Sequence, residues 1–265
     1  MKKFALFLII AVIAAAIAVS GFELFSISDE YTGEEQISSE MDRYDPAISA
    51  ASEVPTAAAS EAGTAAVTSV AAPSSAPAPI QRPTVNQSIA GLQSDVNPDV
   101  VGWLTIPGTR INYPFVLAAD NSYYLRRDIH GNQAQAGTLF MDYRCAGDFS
   151  DFNTIIYGHN MNDKSMFGEL SMFDDPDFFA GHRDGTVFLK DRTYKLAFFA
   201  YMTVDSQDSV VYAPEAGPQE FYGYAGTHAS VYYEPDARYA VLTLSTCSYA
   251  YNGARGVLLA ALYPM

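Results

Sequence analysis

From about residue 86 onward, apolar positions come in short runs of four to eleven residues, cut by Gly, Pro, Asn and Asp. Val101 to Ile106 and Ile111 to Val116 read as strands around the turn Pro107-Gly108-Thr109-Arg110. Gly137 to Asp142 and Thr154 to Tyr157 read as two more, the second β-branched and aromatic. Thr186 to Leu189 and Tyr194 to Val204 predict a hairpin around Lys190-Asp191-Arg192-Thr193. Tyr239 to Cys247 and Gly256 to Leu262 predict adjacent strands joined by a Gly-containing loop, closing the domain at Met265 with no C-terminal anchor. Helical spacing is rarer. Val85 to Ser94 places Ile89, Leu92 and Val96 on one face, ahead of Asn97-Pro98-Asp99. Met166 to Phe173 and the stretch opening at Pro176 predict short helices, and Pro218 to Tyr232 is expected to be helical in part. Many short strands with few helices point to a mostly β domain, a closed or nearly closed barrel.

The N-terminal third is patterned differently. After Met1-Lys2-Lys3, the run Phe4 to Val19 is unbroken apolar, and Phe22, Leu24 and Phe25 extend it. Such a run is a signal sequence or a single anchor, and its length just reaches the roughly 20 residues of a membrane span. The lysines favour a cytoplasmic N-terminus, with the rest of the chain outside the cell. Residues 26–85 pass from acidic to Ala/Ser/Pro/Thr-rich without hydrophobic periodicity, and predict a disordered tether. The expected organisation is an anchor over 1–25, a linker over 26–85 and a catalytic domain over 86–265.

Composition narrows the chemistry. The chain has 265 residues, 49% of them hydrophobic, and a net charge of −15. A nucleic-acid partner, which wants a basic face, is not expected. The sequence has no GxGxxG, GxxxxGK[ST] or HExxH motif, and the four histidines lack metal-ligand spacing, so no cofactor or metal is expected. Two cysteines, Cys145 and Cys247, do not make a disulfide scaffold. A Cys145–Cys247 bridge would mask Cys247 and would explain neither His159 nor Arg255.

Cys247 ends the strand-like run Thr243-Leu244-Ser245-Thr246-Cys247, and Arg255 opens the next. Alternation puts Ser245 and Cys247 on one face, so Ser245 is either a substrate contact or a hydroxyl bonded to backbone. A fixed positive charge favours the thiolate, the form that attacks a carbonyl. His159 projects from a turn past the strand Thr154 to Tyr157, where it can hold the thiol proton and return it to a leaving amine. Arg255 supplies permanent donors for an oxyanion. His130, His182 and His228 read as surface or structural, Cys145 as a packed thiol, and Trp103 as core.

The motif Thr243-Leu244-Ser245-Thr246-Cys247, the upstream strand ending Gly158-His159-Asn160, and an Arg eight residues after the Cys resemble the sortases. The stretch Tyr157 to Leu170 resembles those of class B. The likeness covers roughly the last two-thirds of the chain, from about Asn97. It implies an eight-stranded barrel with helices at its N-terminus and between two late strands. It implies that His159, Cys247 and Arg255 are catalytic. It also implies a membrane-anchored transpeptidase of a Gram-positive surface that cleaves a C-terminal sorting signal, of the NPxT or SPxT kind, on exported proteins. The new acyl end would pass from a thioacyl-enzyme to an amine of peptidoglycan, a precursor or a cross-bridge. The alternatives are an extracellular cysteine peptidase that uses water, and a non-catalytic anchored barrel that binds wall components.

Overall fold

The computed structural model describes residues 37–46, 86–248 and 250–265. Among the described residues nine strands are present: β1 (Val100–Thr105), β2 (Asn112–Val116), β3 (Leu139–Met141), β4 (Asn153–Tyr157), β5 (Asp184–Leu189), β6 (Thr193–Asp205), β7 (Val231–Tyr232), β8 (Val241–Cys247) and β9 (Ala254–Pro264). Among the described residues the α-helices α1 (Gln87–Asp95), α2 (Pro176–Gly181) and α3 (Pro218–His228) precede or join these strands. The strand order is β5-β1-β2-β3-β4-β8-β9-β6, and β5 pairs again with β6, which closes an eight-stranded barrel. β7 lies outside the ring on the second half of β6, with Val231 opposite Tyr201. Closure removes the free edges that an open sheet would expose.

Two pairings are parallel, β2 with β3 and β4 with β8. The second sets the site, because it brings two strand ends that are 88 residues apart in sequence side by side. β4 and β8 are buried on both faces, with Ile155, Ile156, Leu242 and Leu244 fully enclosed. A strand covered on both sides reads as a near-continuous apolar run, as these do. Most polar side chains within them find partners: Thr243 Oγ1 donates to Asn153 Oδ1 at 2.6 Å, and Thr246 Oγ1 to the Gly158 carbonyl at 2.8 Å, whereas the buried Thr154 Oγ1 has none. An unmade bond there would cost on the order of 1–3 kcal/mol.

α1 starts at Asn86, whose side chain accepts from the amides of Ser88 and Ile89. Its Ile89 and Leu92 are fully buried in a second cluster with Trp103, Val116 and Ile129. Burial of each stabilises the fold by roughly 1.5–3 kcal/mol. Trp103 is core, as expected, and its indole N–H donates to Asn112 Oδ1.

Two expectations are corrected. Met166 to Phe173 is not one helix. Lys164 and Met166 take left-handed φ angles of 71° and 49°, which turn the chain, and only a short 3₁₀ turn, Leu170–Asp174, follows. The stretch Pro218 to Tyr232 is helical in part, as expected: α3 stops at His228, and Val231–Tyr232 form β7. Residues 37–46 fall inside the predicted tether, yet they lie on the barrel: Met41 is buried and Asn112 Nδ2 donates to Asp45 Oδ2 at 2.7 Å. Glu40 also meets the His130 ring at 3.2 Å. Met41, with Ile37 and Tyr44 packed against the same cluster, and a few polar contacts are enough to seat a segment whose composition reads as linker. Among the described residues no helix is long and apolar enough to cross a membrane. The expected anchor, residues 1–25, lies outside the described residues, as does the linker apart from 37–46.

Candidate active site

Cys247 is the last residue of β8 and is exposed, whereas the six residues before it are buried. In the antiparallel β8–β9 register it stands directly opposite Arg255. Directly opposed residues share a face, with Cα atoms about 4.5–5.5 Å apart. The return is made possible by Gly253, whose φ of 86° admits little but glycine. The amide of Ser248 donates to the Ala254 carbonyl and closes the link between the two strands.

His159 arrives from the other side. β4 ends at Tyr157, opposite Ser245, and Gly158 donates its amide to the Ser245 carbonyl at 3.1 Å. A Cβ on Gly158 would lie 2.5 Å from Leu139 and 2.7 Å from the buried Phe167 ring, so any other residue here would have to push those side chains aside. Asn160 Nδ2 then donates to the Cys247 carbonyl at 2.9 Å. With the Thr246 bond to Gly158, three hydrogen bonds join 158–160 to 245–247. The His159 ring meets the Leu125 carbonyl through Nε2 at 2.6 Å. A carbonyl only accepts, so Nε2 carries a proton, and Nδ1 is the nitrogen left to exchange one.

His159, Cys247, Arg255 and Ser245 line one open cleft of about 250 Å³, together with Asn121, Tyr157 and Tyr212. Among the described residues Arg255 pairs with no carboxylate; its guanidinium donates to the Ala254 carbonyl at 3.1 Å. Tyr212 is buried, and burial pushes its phenol up to about 12, against the hydrogen bond from Ser245 and the nearby positive charge of Arg255. Ser245 is 1% exposed, and its hydroxyl lies 2.9 Å from that of Tyr212. The sequence left Ser245 as either a substrate contact or a hydroxyl bonded to backbone; in the structure its hydroxyl meets a side chain of the wall, Tyr212.

Cys145 is elsewhere. It is buried, its Sγ donates to the Asn153 carbonyl at 3.7 Å, and burial pushes its thiol up to about 12. Both cysteines are free thiols. His182 and His228 stack on Phe178 and Tyr224 and bond to the carbonyls of the same residues through Nδ1. Among the described residues no group of three His, Cys, Asp or Glu is placed to hold a metal. Sequence reasoning missed Asn160, Tyr212, Asn121 and the Leu125 carbonyl. Asn160 alone carried a signal, since it follows His159 in the same turn.

Comparison with known proteins agrees with this geometry. The sortase-domain family model matches residues 104–262. Sortase B of Listeria monocytogenes is 38% identical over 168 residues, which is 62% of this chain and 68% of that protein. The solved structure of sortase B from B. anthracis is 34% identical, with a TM-score of 0.60 over 71% of this chain and 90% of that one. A Staphylococcus aureus sortase B–substrate complex is 26% identical, with a TM-score of 0.63 over 68% of this chain and 87% of that one. A closed barrel that brings a strand-end cysteine, a histidine and an arginine to one cleft is thus matched along most of its length, and the chain belongs to the sortase family, cysteine transpeptidases acting on peptide bonds, among its class B members.

Proposed function

We propose that Cys247 is the nucleophile, His159 the proton carrier and Arg255 the oxyanion or carbonyl donor of this transpeptidase. The observation that carries the reading is the pairing of Cys247 with Arg255 across β8 and β9, with His159 delivered to the same cleft by β4. The Cys247 thiolate adds to the scissile carbonyl of a sorting-signal peptide, and the guanidinium of Arg255 donates to the resulting oxyanion. His159 Nδ1, holding the thiol proton, gives it to the leaving amine as the C–N bond breaks. A thioester remains on Cys247. An incoming amine attacks it, its proton passes to His159, and the thiolate leaves. Arg255 keeps its charge through both steps. Ser245, bonded to Tyr212, shapes the wall that the peptide meets.

The substrate is the C-terminal sorting signal of an exported protein, of the NPxT or SPxT kind, and the acceptor is an amine of peptidoglycan, as precursor or cross-bridge. Residues 1–25 anchor the chain in the membrane, with the barrel at the cell surface. The run of apolar residues at the N-terminus and the membership of the family support this placement.

Product partition tests the reading. With a sorting-signal peptide and rising amine, the amide product is expected to grow at the expense of the free acid, and Cys247→Ala to abolish both. Free acid only, at every amine concentration, would make the enzyme a peptidase. Peptide binding with no turnover, indifferent to Cys247→Ala, would make it a binding module. Arg255→Lys keeps the charge and loses the planar fork, so it is expected to lower kcat, and Arg255→Ala to lower it by on the order of a hundredfold. Near-normal kcat in Arg255→Ala would remove Arg255 from the reaction.

A further inference from the structure

The wall of the cleft rests on a buried carboxylate that the chemistry above does not use. Asp142 directly follows β3 and is fully buried. Its Oδ1 accepts from Arg144 Nε at 2.8 Å and from the Arg144 amide at 3.0 Å. Its Oδ2 accepts from a terminal Arg144 nitrogen at 2.7 Å, from the Tyr157 hydroxyl at 2.9 Å and from Asn121 Nδ2 at 3.2 Å. Burial alone would raise this carboxyl. The Arg144 fork, the Arg144 amide and the Tyr157 hydroxyl outweigh it and hold the group below the usual carboxylate range.

Each partner leads to the cleft. Asn121 and Tyr157 line it directly. Arg144 donates from the same terminal nitrogen to the Tyr212 carbonyl at 2.9 Å. Tyr212 stacks on Tyr157 with ring centres 6.1 Å apart, and its hydroxyl reaches Ser245. Asn121 is fixed at its other end, where Oδ1 accepts the Tyr143 amide. A single carboxylate thus joins segments around residues 121, 144, 157 and 212, which come from four separate parts of the chain. A buried ion pair is weak evidence for stability, because desolvation opposes the attraction. A buried charge whose three side-chain donors all lie on, or tie to, one side of a cleft has a second use.

We propose that Asp142 is a positioning residue for the peptide-binding wall: it holds Asn121, Tyr157 and, through Arg144, the Tyr212 segment in the places from which they meet the substrate. The proposal rests on the reading of the cleft as the peptide site. It predicts an effect on peptide engagement rather than on the thiol. In Asp142→Asn the amide keeps the shape but loses the charge and one acceptor, so the Arg144 fork and the Tyr157 hydroxyl are no longer both satisfied.

The test compares Asp142→Asn, Tyr157→Phe and the double variant with the parent enzyme, each checked for folding by circular dichroism. KM for an NPxT or SPxT peptide is expected to rise about tenfold in Asp142→Asn, with kcat changed by less than about threefold. Alkylation of Cys247 by iodoacetamide is expected to keep its parental rate. Tyr157→Phe, which deletes one donor and keeps the ring, is expected to raise KM in the same direction, and the double variant to be no worse than Asp142→Asn. Parental KM in both single variants overturns the proposal. So does a parallel loss of KM, kcat and alkylation, which would mark a general loosening. If Asp142→Asn does not fold, the crystal structure of Tyr157→Phe decides, because Tyr157 itself lines the cleft: Asn121 or Tyr212 displaced supports the proposal, and both unmoved overturn it. Failure of the underlying reading looks different, since the parent itself would then not turn over the peptide. A crystal structure of Asp142→Asn or of Tyr157→Phe then decides the positioning claim: Asn121 or Tyr212 displaced supports it, and both unmoved overturn it.

Discussion

Two cysteines of one chain show how placement decides reactivity. Cys247 is exposed at a strand end, while Cys145 is enclosed and its thiol is pushed up to about 12 by burial. Cys145 therefore stays protonated throughout the neutral range, and only the thiolate is alkylated. Brief treatment with iodoacetamide near neutral pH is expected to label Cys247 and leave Cys145 unmodified, read by mass spectrometry of the digested protein. Label on Cys145 first, or a linked Cys145–Cys247 peptide in active enzyme, would contradict the assignment. That His159, Cys247 and Arg255 meet at one cleft was legible from residue type and strand-end position. Tyr212 and Asp142 were not, because what distinguishes them is partners elsewhere in the chain, and Asn160 was legible only as the neighbour of His159, not as a donor to the Cys247 carbonyl. Ser245 was legible as a cleft residue but not as the partner of Tyr212, since nothing in the pattern around residue 212 marks a contact 33 residues on.

At the scale of elements, the site depends on the parallel pairing of β4 with β8 and on the close approach at Gly158. The ideal Cβ there would sit 2.5 Å from Leu139 Cδ2 and 2.7 Å from Phe167 Cδ2, both in the core. Gly158→Ala forces side chains apart or lifts the end of β4, which is expected to destabilise the fold by roughly 1–3 kcal/mol. It also moves His159, so turnover is expected to fall further than stability explains. Thermal melts and steady-state rates on this variant check both, and a normal melt with normal rates would show that the neighbours give way without effect. The strands themselves were readable from their apolar runs, since a barrel strand buried on both faces leaves little else to see. The helix expected over Met166 to Phe173 was not broken by any Pro. Left-handed backbone at Lys164 and Met166 broke it, and neither residue type advertises that conformation.

At the scale of the whole molecule, the eight-stranded closure followed from the resemblance rather than from periodicity, which counts strands without ordering them. Segment 37–46 was missed because its contacts with α1 and the barrel are few and long-range: Met41 in the second core, Tyr44 near Asp95, Asp45 on Asn112. A fragment of residues 86–265 is expected to fold alone but to melt a few degrees below residues 37–265, at about 2–4 °C per kcal/mol for a domain of this size. Equal melting temperatures would mean that the segment adds nothing to stability. The central claim, that Cys247 carries the acyl group between peptide and amine, has a more direct test. Intact-protein mass spectrometry after mixing enzyme with a sorting-signal peptide is expected to show a mass increase equal to the acyl fragment. Digestion is expected to place it on Cys247, and added amine to discharge it into amide product. No adduct in an enzyme that turns the peptide over, or an adduct on any other residue, would contradict the account.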